Sequence, residues 1–422
     1  MNVLIVGGGI GGLATALGLH RIGCDVQVLE KAPSFTDMGA ALSLWSNGIY
    51  ALNQLAVADR VLQHGSDALR FCDVRNRDGR LIRQVDWDRP RRLTGFPTVA
   101  VHRARLIDAL ADPIRDRIHH ASECCRIDLA RDHVDVECQD GRAFNGDLLI
   151  AADGIHSAIR QLMFPDVHPS YQGYVAFRAL VDRSQIAETT NKWQLTLANG
   201  GQFGCVPINN QQAYWFGTKN VSESEAVCSM TPDAIHAEAA EHFASWHDRV
   251  GRIVAATSPA QVLRTPIYDL PTLDWWCRGR MTLTGDAAHA MTPNLGQGAC
   301  QAIEDAVVLT RMVQRCRGDR REIPAALKAF ERERRTYVGR IQRTARVAGQ
   351  LMQNQNPIAR VACQNVVRFL GGSRFDAAVR CASKRTDLSD MVKPSGVRPP
   401  KFATNPRGAS ADAFKTRQVD PQ

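Results

Sequence analysis

Gly7, Gly9 and Gly12 stand in the order G-x-G-x-x-G, and Glu30 follows eighteen residues after the last of them. Glycines at this spacing let the chain turn tightly, let a pyrophosphate approach the backbone and let helix and strand pack closely, while the acid accepts ribose hydroxyls. Two later turns, Asp153–Gly154 and Gly285–Asp286, can each aim a carboxylate and backbone N–H groups at a ligand. Gly296–Gln297–Gly298 leaves the backbone bare enough for a flat ring to lie on it. Together these residues describe a dinucleotide site, and an acid at position 30 disfavours a 2′-phosphate, which leaves FAD or NAD rather than NADP.

Positioning such residues takes buried strands that end at the turns. The apolar run 3–6 reads as a strand buried on both faces, followed by a helix carrying Leu13, Ala14, Ala16, Leu17 and Leu19 to a stop at Gly23, then a second strand with Val26, Val28 and Leu29. Residues 147–152 and 281–284 repeat the strand pattern ahead of the other two turns, with Ser157 and Arg160 on a helix after the first. Ala299, Ile303, Ala306, Val307 and Thr310 form the apolar face of a helix opened by Gly298, whose positive end would face the electron-rich edge of a reduced flavin. Asp286, at the end of a strand, would bind a ribityl hydroxyl. Residues 174–181, 202–206 and 214–218 read as strands, the last two joined through Asn209–Asn210.

The chain has 422 residues, too many for a single ordinary core, and its 44% apolar and 23% charged content is that of a globular protein. Its formal charge of +9 comes mostly from an Arg-rich stretch at 317–346 and from the tail at 391–422, which holds six Lys/Arg against two Asp. With no aromatic-interleaved basic motif, these read as a solvated helix face and a loose tail, not a nucleic-acid site. Twelve scattered cysteines without a Cys-x-x-Cys read as reduced, packed thiols, so no metal is expected. The absence of a basic leader before 3–6 and of a long apolar run predicts a cytoplasmic protein without a membrane span. Monomer and homodimer both stay open.

The motifs taken together resemble the group A flavoprotein aromatic hydroxylases, the single-component FAD monooxygenases of the p-hydroxybenzoate hydroxylase type. The resemblance rests on G-x-G-x-x-G with Glu30, on His102–Arg103 followed by Leu106, on Asp153–Gly154, and on Gly285–Asp286 with Pro293 and Gly296–Gln297–Gly298. Within that family the chain is most similar to the salicylate hydroxylase, zeaxanthin epoxidase and FAD-dependent urate hydroxylase branch, through Gly39–Ala40–Ala41–Leu42–Ser43 with Trp45, Asn47 and Gly48, and through 298–306. Cys300 falls in that second segment and reads as a small packing residue. The resemblance implies an α/β chain: a Rossmann-like FAD-binding domain from 1–71, 101–165 and 279–320, an inserted, mostly antiparallel β-sheet substrate domain from 72–100 and 166–278, a C-terminal helical segment at 321–390 and a flexible tail.

It further implies that Gly7, Gly9, Gly12, Glu30 and Lys31 hold the ADP part of FAD, that Arg103 reaches the pyrophosphate or ribityl region, and that Ser43 and Ile127 line the site. Asp153 and Asp286 would face the cofactor, Pro293, Gly296 and Gly298 would run along the isoalloxazine, and His289 would belong to the flavin wall rather than act as a base. NAD(P)H would visit as a transient co-substrate, since no second G-x-G-x-x-G is present. On the substrate sheet Tyr214, Arg178 and Gln202 are the candidate catalytic residues. Tyr214 falls seven residues after Pro207, as in the urate hydroxylases, whereas Gln202 replaces their Arg and Arg178 replaces their Asn. The expected activity is O2-dependent hydroxylation of a small planar aromatic or heteroaromatic substrate through a flavin C4a-hydroperoxide. Urate hydroxylase proper and a non-catalytic flavin-binding regulatory protein are the alternatives.

Overall fold

The computed structural model describes residues 1–356 apart from 36–39, 67–68, 187–191 and 199, so Gly39, the stretch 357–390 and the tail at 391–422 lie outside the described residues. The apolar run at 3–6 becomes the strand Asn2–Val6, whose last four residues are buried, inside a six-stranded sheet. It pairs in parallel with Asp25–Leu29 on one side and with Leu148–Ala151 on the other, and Leu148–Ala151 pairs in parallel with Met281–Leu283. Three motif-bearing strands are therefore neighbours running the same way. Their carboxyl ends bring the glycine turn, Asp153–Gly154 and Gly285–Asp286 to one edge of the sheet, where open α/β sheets bind ligands.

Helices Ile10–Arg21 and Gly298–Arg315 lie close to each other because Gly18 has no side chain where Thr310 stands. The last described helix, Ile323–Met352, packs against Gly298–Arg315.

A second sheet of seven strands has the order Leu263–Asp269, Ser170–Asp182, Gln212–Asn220, Gly201–Pro207, Trp193–Ala198, Phe71–Asn76, Leu81–Asp86. Its pairs are antiparallel, except that Trp193–Ala198 runs parallel to Phe71–Asn76. The alternation of side chains divides its residues cleanly. Phe177, Ala179, Phe203 and Trp215 face helices Pro232–Phe243 and Asp248–Ala255 in a core with Phe243, Trp246 and Ile253. Arg178, Leu180, Gln202, Tyr214 and Phe216 lie on the opposite face. Those two helices and the strand Trp193–Ala198 interrupt a region whose sequence reads only as sheet.

A two-stranded ribbon, Ala41–Leu44 with Val99–His102, joins the two regions: Ala41 and Ala100 pack with Val206, Ile208 and Tyr214 of the large sheet. No helix among the described residues is long and apolar enough to cross a membrane.

Candidate functional site

At the sheet edge the three glycines separate into two kinds. Gly7 sits at φ +106°, and a Cβ there would collide with the Ala152 carbonyl, while a Cβ on Gly12 would collide with the carbonyl of Gly7. These two positions close the turn on itself. Gly9 has nothing within 4 Å of its would-be Cβ, and the helix behind it has no side-chain cap, so no side chain at the cap accepts from its first N–H groups. The half-buried Glu30 holds the turn in place, accepting the N–H of Gly8 at 2.6 Å and of Ala32 at 2.8 Å, with Lys31 exposed beside it. The same carboxylate keeps lone pairs for ribose hydroxyls.

The next two turns are tied together by Arg160. This wholly buried guanidinium donates to the Ile155 carbonyl at 2.6 Å and to the Ala287 carbonyl at 3.3 Å. Ser157 caps the helix Ala158–Met163 by accepting the Arg160 N–H at 2.8 Å. Asp153 accepts the Ile159 N–H at 3.3 Å through one oxygen, and its other oxygen, Oδ1, is buried without a partner. Burial raises its carboxyl above the usual range despite the hydrogen bonds from Ser157 and Ile159.

Asp286 is crowded by protein, which pushes its carboxyl up against the pull of the His289 and Arg103 charges, yet its surface is exposed. A carboxylate that is both enclosed and accessible stands on the wall of a cleft. Arg103, exposed at the start of helix Arg103–Ala111, makes no hydrogen bond through its side chain among the described residues and lies close enough to influence Asp286.

Beyond the cleft, Pro293–Leu295 is a short 3-10 turn with exposed Pro293, ending at Gly296 in the left-handed region. A Cβ on Gly296 would stand 3.0 Å from Trp45 Nε1, and Gly298 has open space where its side chain would be. The helix Gly298–Arg315 starts there without a side-chain cap. An open Gly9, a bare Gly298, an uncapped helix at each and an unpartnered Asp153 oxygen fit a dinucleotide that carries a flat ring. Ser43 is half-buried on the strand Ala41–Leu44 of the ribbon. Ile127 lies on a separate three-stranded sheet, paired with Val136, and no described contact ties it to the cleft.

One buried side chain holds the cofactor loops in register. Arg334 donates to Asp305 at 2.7 Å, to Glu304 at 2.8 Å, and to Gln301 through both its backbone oxygen at 3.2 Å and its side-chain oxygen at 2.8 Å. Asp305 also accepts the Gly285 N–H at 3.2 Å and pairs with His289 Nε2 at 2.6 Å, while Glu304 accepts Asn47 Nδ2 at 2.6 Å. The first turn of the helix Ser46–Gln54, the Gly285 turn and the start of the long helix thus meet on one guanidinium. Burial opposes ionisation of Asp305, but the charges of His289 and Arg334 outweigh it and hold the carboxyl at about 2, whereas burial prevails at Glu304 and raises it. His289 is 2% exposed and engaged with Asp305, which places it in the wall and not before a substrate. Cys300 is buried beneath Gly48, its thiol pushed up to about 12 by burial, the setting of a packing residue.

Sequence reasoning placed 317–346 on a solvated face, and Arg334 corrects that. Its signal was present: the buried stripe Ile323, Leu327, Phe330, Arg334, Tyr337 has helical spacing with one charged member.

Of the three candidate catalytic residues, the large sheet brings two together. Arg178 lies opposite Phe216 and Tyr214 opposite Leu180, so Arg178 and Tyr214 are diagonal neighbours on adjacent strands. Both lack hydrogen bonds through their side chains among the described residues. Burial raises the Tyr214 phenol and the nearby Arg178 charge lowers it. Gln202 shares their face but stands apart, with its Cα about 12 Å from that of Arg178 and about 14 Å from that of Tyr214 by strand spacing.

Trp193 and Phe216 form the middle of this face, with ring centroids 6.4 Å apart at 89°, and Trp193 stacks on Trp87 at 4.8 Å, which touches Trp45 at 4.3 Å. This aromatic chain reaches Gly296, and its tryptophans were not singled out as a wall in the sequence because their positions are far apart along the chain. At the other side Tyr174 donates its hydroxyl to Asn294 Oδ1 at 2.8 Å, joining this sheet face to the Pro293 turn. Among the described residues no cluster of His, Cys, Asp and Glu could hold a metal.

Residues 1–345 match the family described as FAD binding domain. Aurachin C monooxygenase/isomerase of Stigmatella aurantiaca is 34% identical over 386 residues, which cover 90% of this chain and 97% of that protein. FAD-dependent urate hydroxylase of Klebsiella pneumoniae is 32% identical over 336 residues, covering 79% and 86%. Salicylate hydroxylase of Pseudomonas putida is 32% identical over 409 residues, covering 89% and 91%. Among solved structures, Klebsiella pneumoniae HpxO complexed with FAD and uric acid gives a TM-score of 0.83 at 29% identity, covering 90% of this chain and 96% of that one.

Proposed function

This chain belongs to the FAD binding domain family and is, like its relatives, an FAD-dependent monooxygenase; we propose that it uses NAD(P)H and O2 to hydroxylate a small planar aromatic or heteroaromatic compound. FAD, when bound, supplies a hydride acceptor and the activation of O2. Gly9 and the start of its helix would hold the pyrophosphate, Glu30 the adenosine ribose, Asp286 and Arg103 the ribityl region, and Gly296 with Gly298 the flat ring. The division into a discontinuous cofactor domain and an inserted substrate domain is part of the same proposal, as is a cytoplasmic setting for the free thiols.

On the substrate side, Arg178 would hold an anionic oxygen of the substrate. Its charge favours an ionised substrate, whose electron-rich carbon is more easily hydroxylated. The Tyr214 phenol, raised by burial, stays protonated near neutral pH and would donate its proton in a hydrogen bond to the same oxygen. Trp193 and Phe216 would stack on the ring and exclude water.

The observation that carries this reading is the placement of Arg178 and Tyr214, without side-chain hydrogen bonds among the described residues, on the sheet face that Tyr174 joins to the Pro293 turn. Urate hydroxylase proper is the second reading, favoured by the 0.83 TM-score, but Gln202 in place of the Arg of that branch weakens it. The test is to purify the protein, identify the bound flavin, and screen phenolic acids, purines and quinolones for stimulated NAD(P)H oxidation with product assayed. FAD with a hydroxylated product supports the proposal. A colourless protein that FAD cannot reconstitute contradicts it.

A further inference from the structure

At the far end of the substrate face, Gln202 is 5% exposed and neither atom of its amide is hydrogen-bonded among the described residues. Its neighbour Thr218 accepts the Gln202 backbone N–H at 3.0 Å and Gln353 Nε2 at 2.8 Å on one hydroxyl oxygen. Gln353 caps the end of helix Ile323–Met352 and is 9% exposed, and its backbone oxygen accepts Asn220 Nδ2 at 2.8 Å. Gln353 Oε1 and Asn220 Oδ1 are both buried without a partner. The last helix therefore forms a wall of this face. It also contacts the Pro293 turn, where Asn294 Nδ2 reaches Met352 Sδ at 3.6 Å.

Every member of this group is a neutral amide or hydroxyl. Buried polar atoms left unsatisfied by the protein are satisfied by something else, and here two acceptors lack a donor while Gln202 offers an NH2 group and a carbonyl oxygen. A carboxylate would add acceptors where donors are missing. A ring N–H beside a carbonyl supplies both complements in one plane. Between this group and Arg178 lies the Phe216 ring, seated over Gly204, where a Cβ would collide with it. The roughly 12 Å between the Cα positions of Arg178 and Gln202 suits two fused rings better than one.

We propose that Gln202 and Gln353 form a neutral subsite for the lactam edge of a fused bicyclic N-heteroaromatic substrate, whose acidic oxygen lies at Arg178 and Tyr214. This rests on the substrate-face reading given above. It adds a substrate class and a residue, Gln353, from the last helix.

The test titrates the FAD-loaded protein with 6-hydroxyquinolin-2-one, its N-methyl analogue, uric acid and salicylate, following the flavin absorbance. The hydroxyquinolinone is expected to bind about tenfold or more tightly than both its N-methyl analogue and salicylate, the loss of one or two hydrogen bonds. Gln353→Leu should weaken it about tenfold while leaving salicylate within twofold. The N-methyl comparison uses the unaltered protein and so stands even if the variant folds poorly. Equal affinity for the N–H and N-methyl compounds, or equal losses for lactam and salicylate in Gln353→Leu, would overturn the lactam subsite and leave the substrate-face reading standing. No perturbation by any of the four in a protein that retains FAD would overturn that reading as well.

Discussion

The cofactor edge and the substrate face solve opposite problems with the same residue types. At the edge, Arg334 makes four hydrogen bonds to Gln301, Glu304 and Asp305, and those carboxylates in turn hold Asn47, Gly285 and His289. On the face, Arg178 is half-buried and makes none through its guanidinium among the described residues. A buried cation surrounded by its own anions serves to fix backbone, and one without them can hold a ligand. The difference predicts that the two regions fail differently: damage at the edge should cost folding and FAD together, and damage on the face should cost substrate alone.

The strongest way to break the comparison is Arg334→Met, which leaves Glu304 and Asp305 buried without their cation. Destabilisation of about 3 to 5 kcal/mol is expected in urea melts, with weakened FAD retention. A variant as stable as the parent would show that the network is not a clamp.

Gly9→Ala separates cofactor from fold. Because no atom lies within 4 Å of its Cβ, the apoprotein should melt as before, while FAD affinity falls by about 3 kcal/mol as the pyrophosphate loses close backbone contact. Gly12→Ala, whose Cβ meets the Gly7 carbonyl, should instead lower the melting temperature of the apoprotein. Identical behaviour of the two variants would erase the distinction between structural and ligand-facing glycines.

Acid titration sharpens the account of the clamp. Asp305 is held at about 2 against the usual 3.8 of an aspartate, so its contribution to stability is present above pH 4 and is lost as pH falls towards 2, about 2 kcal/mol in all. Measuring this in a Glu304→Gln background removes the upward shift of Glu304, which acts with the opposite sign. Asp305→Asn in that background should flatten the slope over this range.

The smallest effect is expected on the face. Arg178→Ala should raise the substrate KM about tenfold, roughly 1.4 kcal/mol, with FAD retention and melting unchanged. A fall in stability instead would move Arg178 to the structural side of the comparison.

The same contrast explains what could be read from the sequence. Gly7, Gly12, Asp153 and Gly285 were legible because consecutive residues encode each turn, and the apolar runs before them encode the parallel strands. The shared face of Arg178, Gln202 and Tyr214 was partly legible, since period-two alternation gives the face of each strand but not the register between strands. Register is what separates Gln202 from the other two. Gln353 was invisible, because a glutamine at a helix end acquires meaning only when Thr218 and Asn220, more than a hundred residues earlier, are brought against it. Arg334 was hidden among many arginines, although its place in an apolar stripe marked it.

The central claim, that the open cleft at Asp286 and Arg103 serves oxygen insertion on the neighbouring sheet face, is tested most directly by turnover under isotopically labelled O2. The FAD-loaded protein is supplied with NAD(P)H and the compound that most stimulates NAD(P)H oxidation, and the product is weighed by mass spectrometry. One labelled oxygen atom per product molecule, with NAD(P)H consumed in proportion, is the result predicted here. Oxidation of NAD(P)H that yields only labelled hydrogen peroxide across the phenolic, purine and quinolone compounds, with no labelled product, would contradict it.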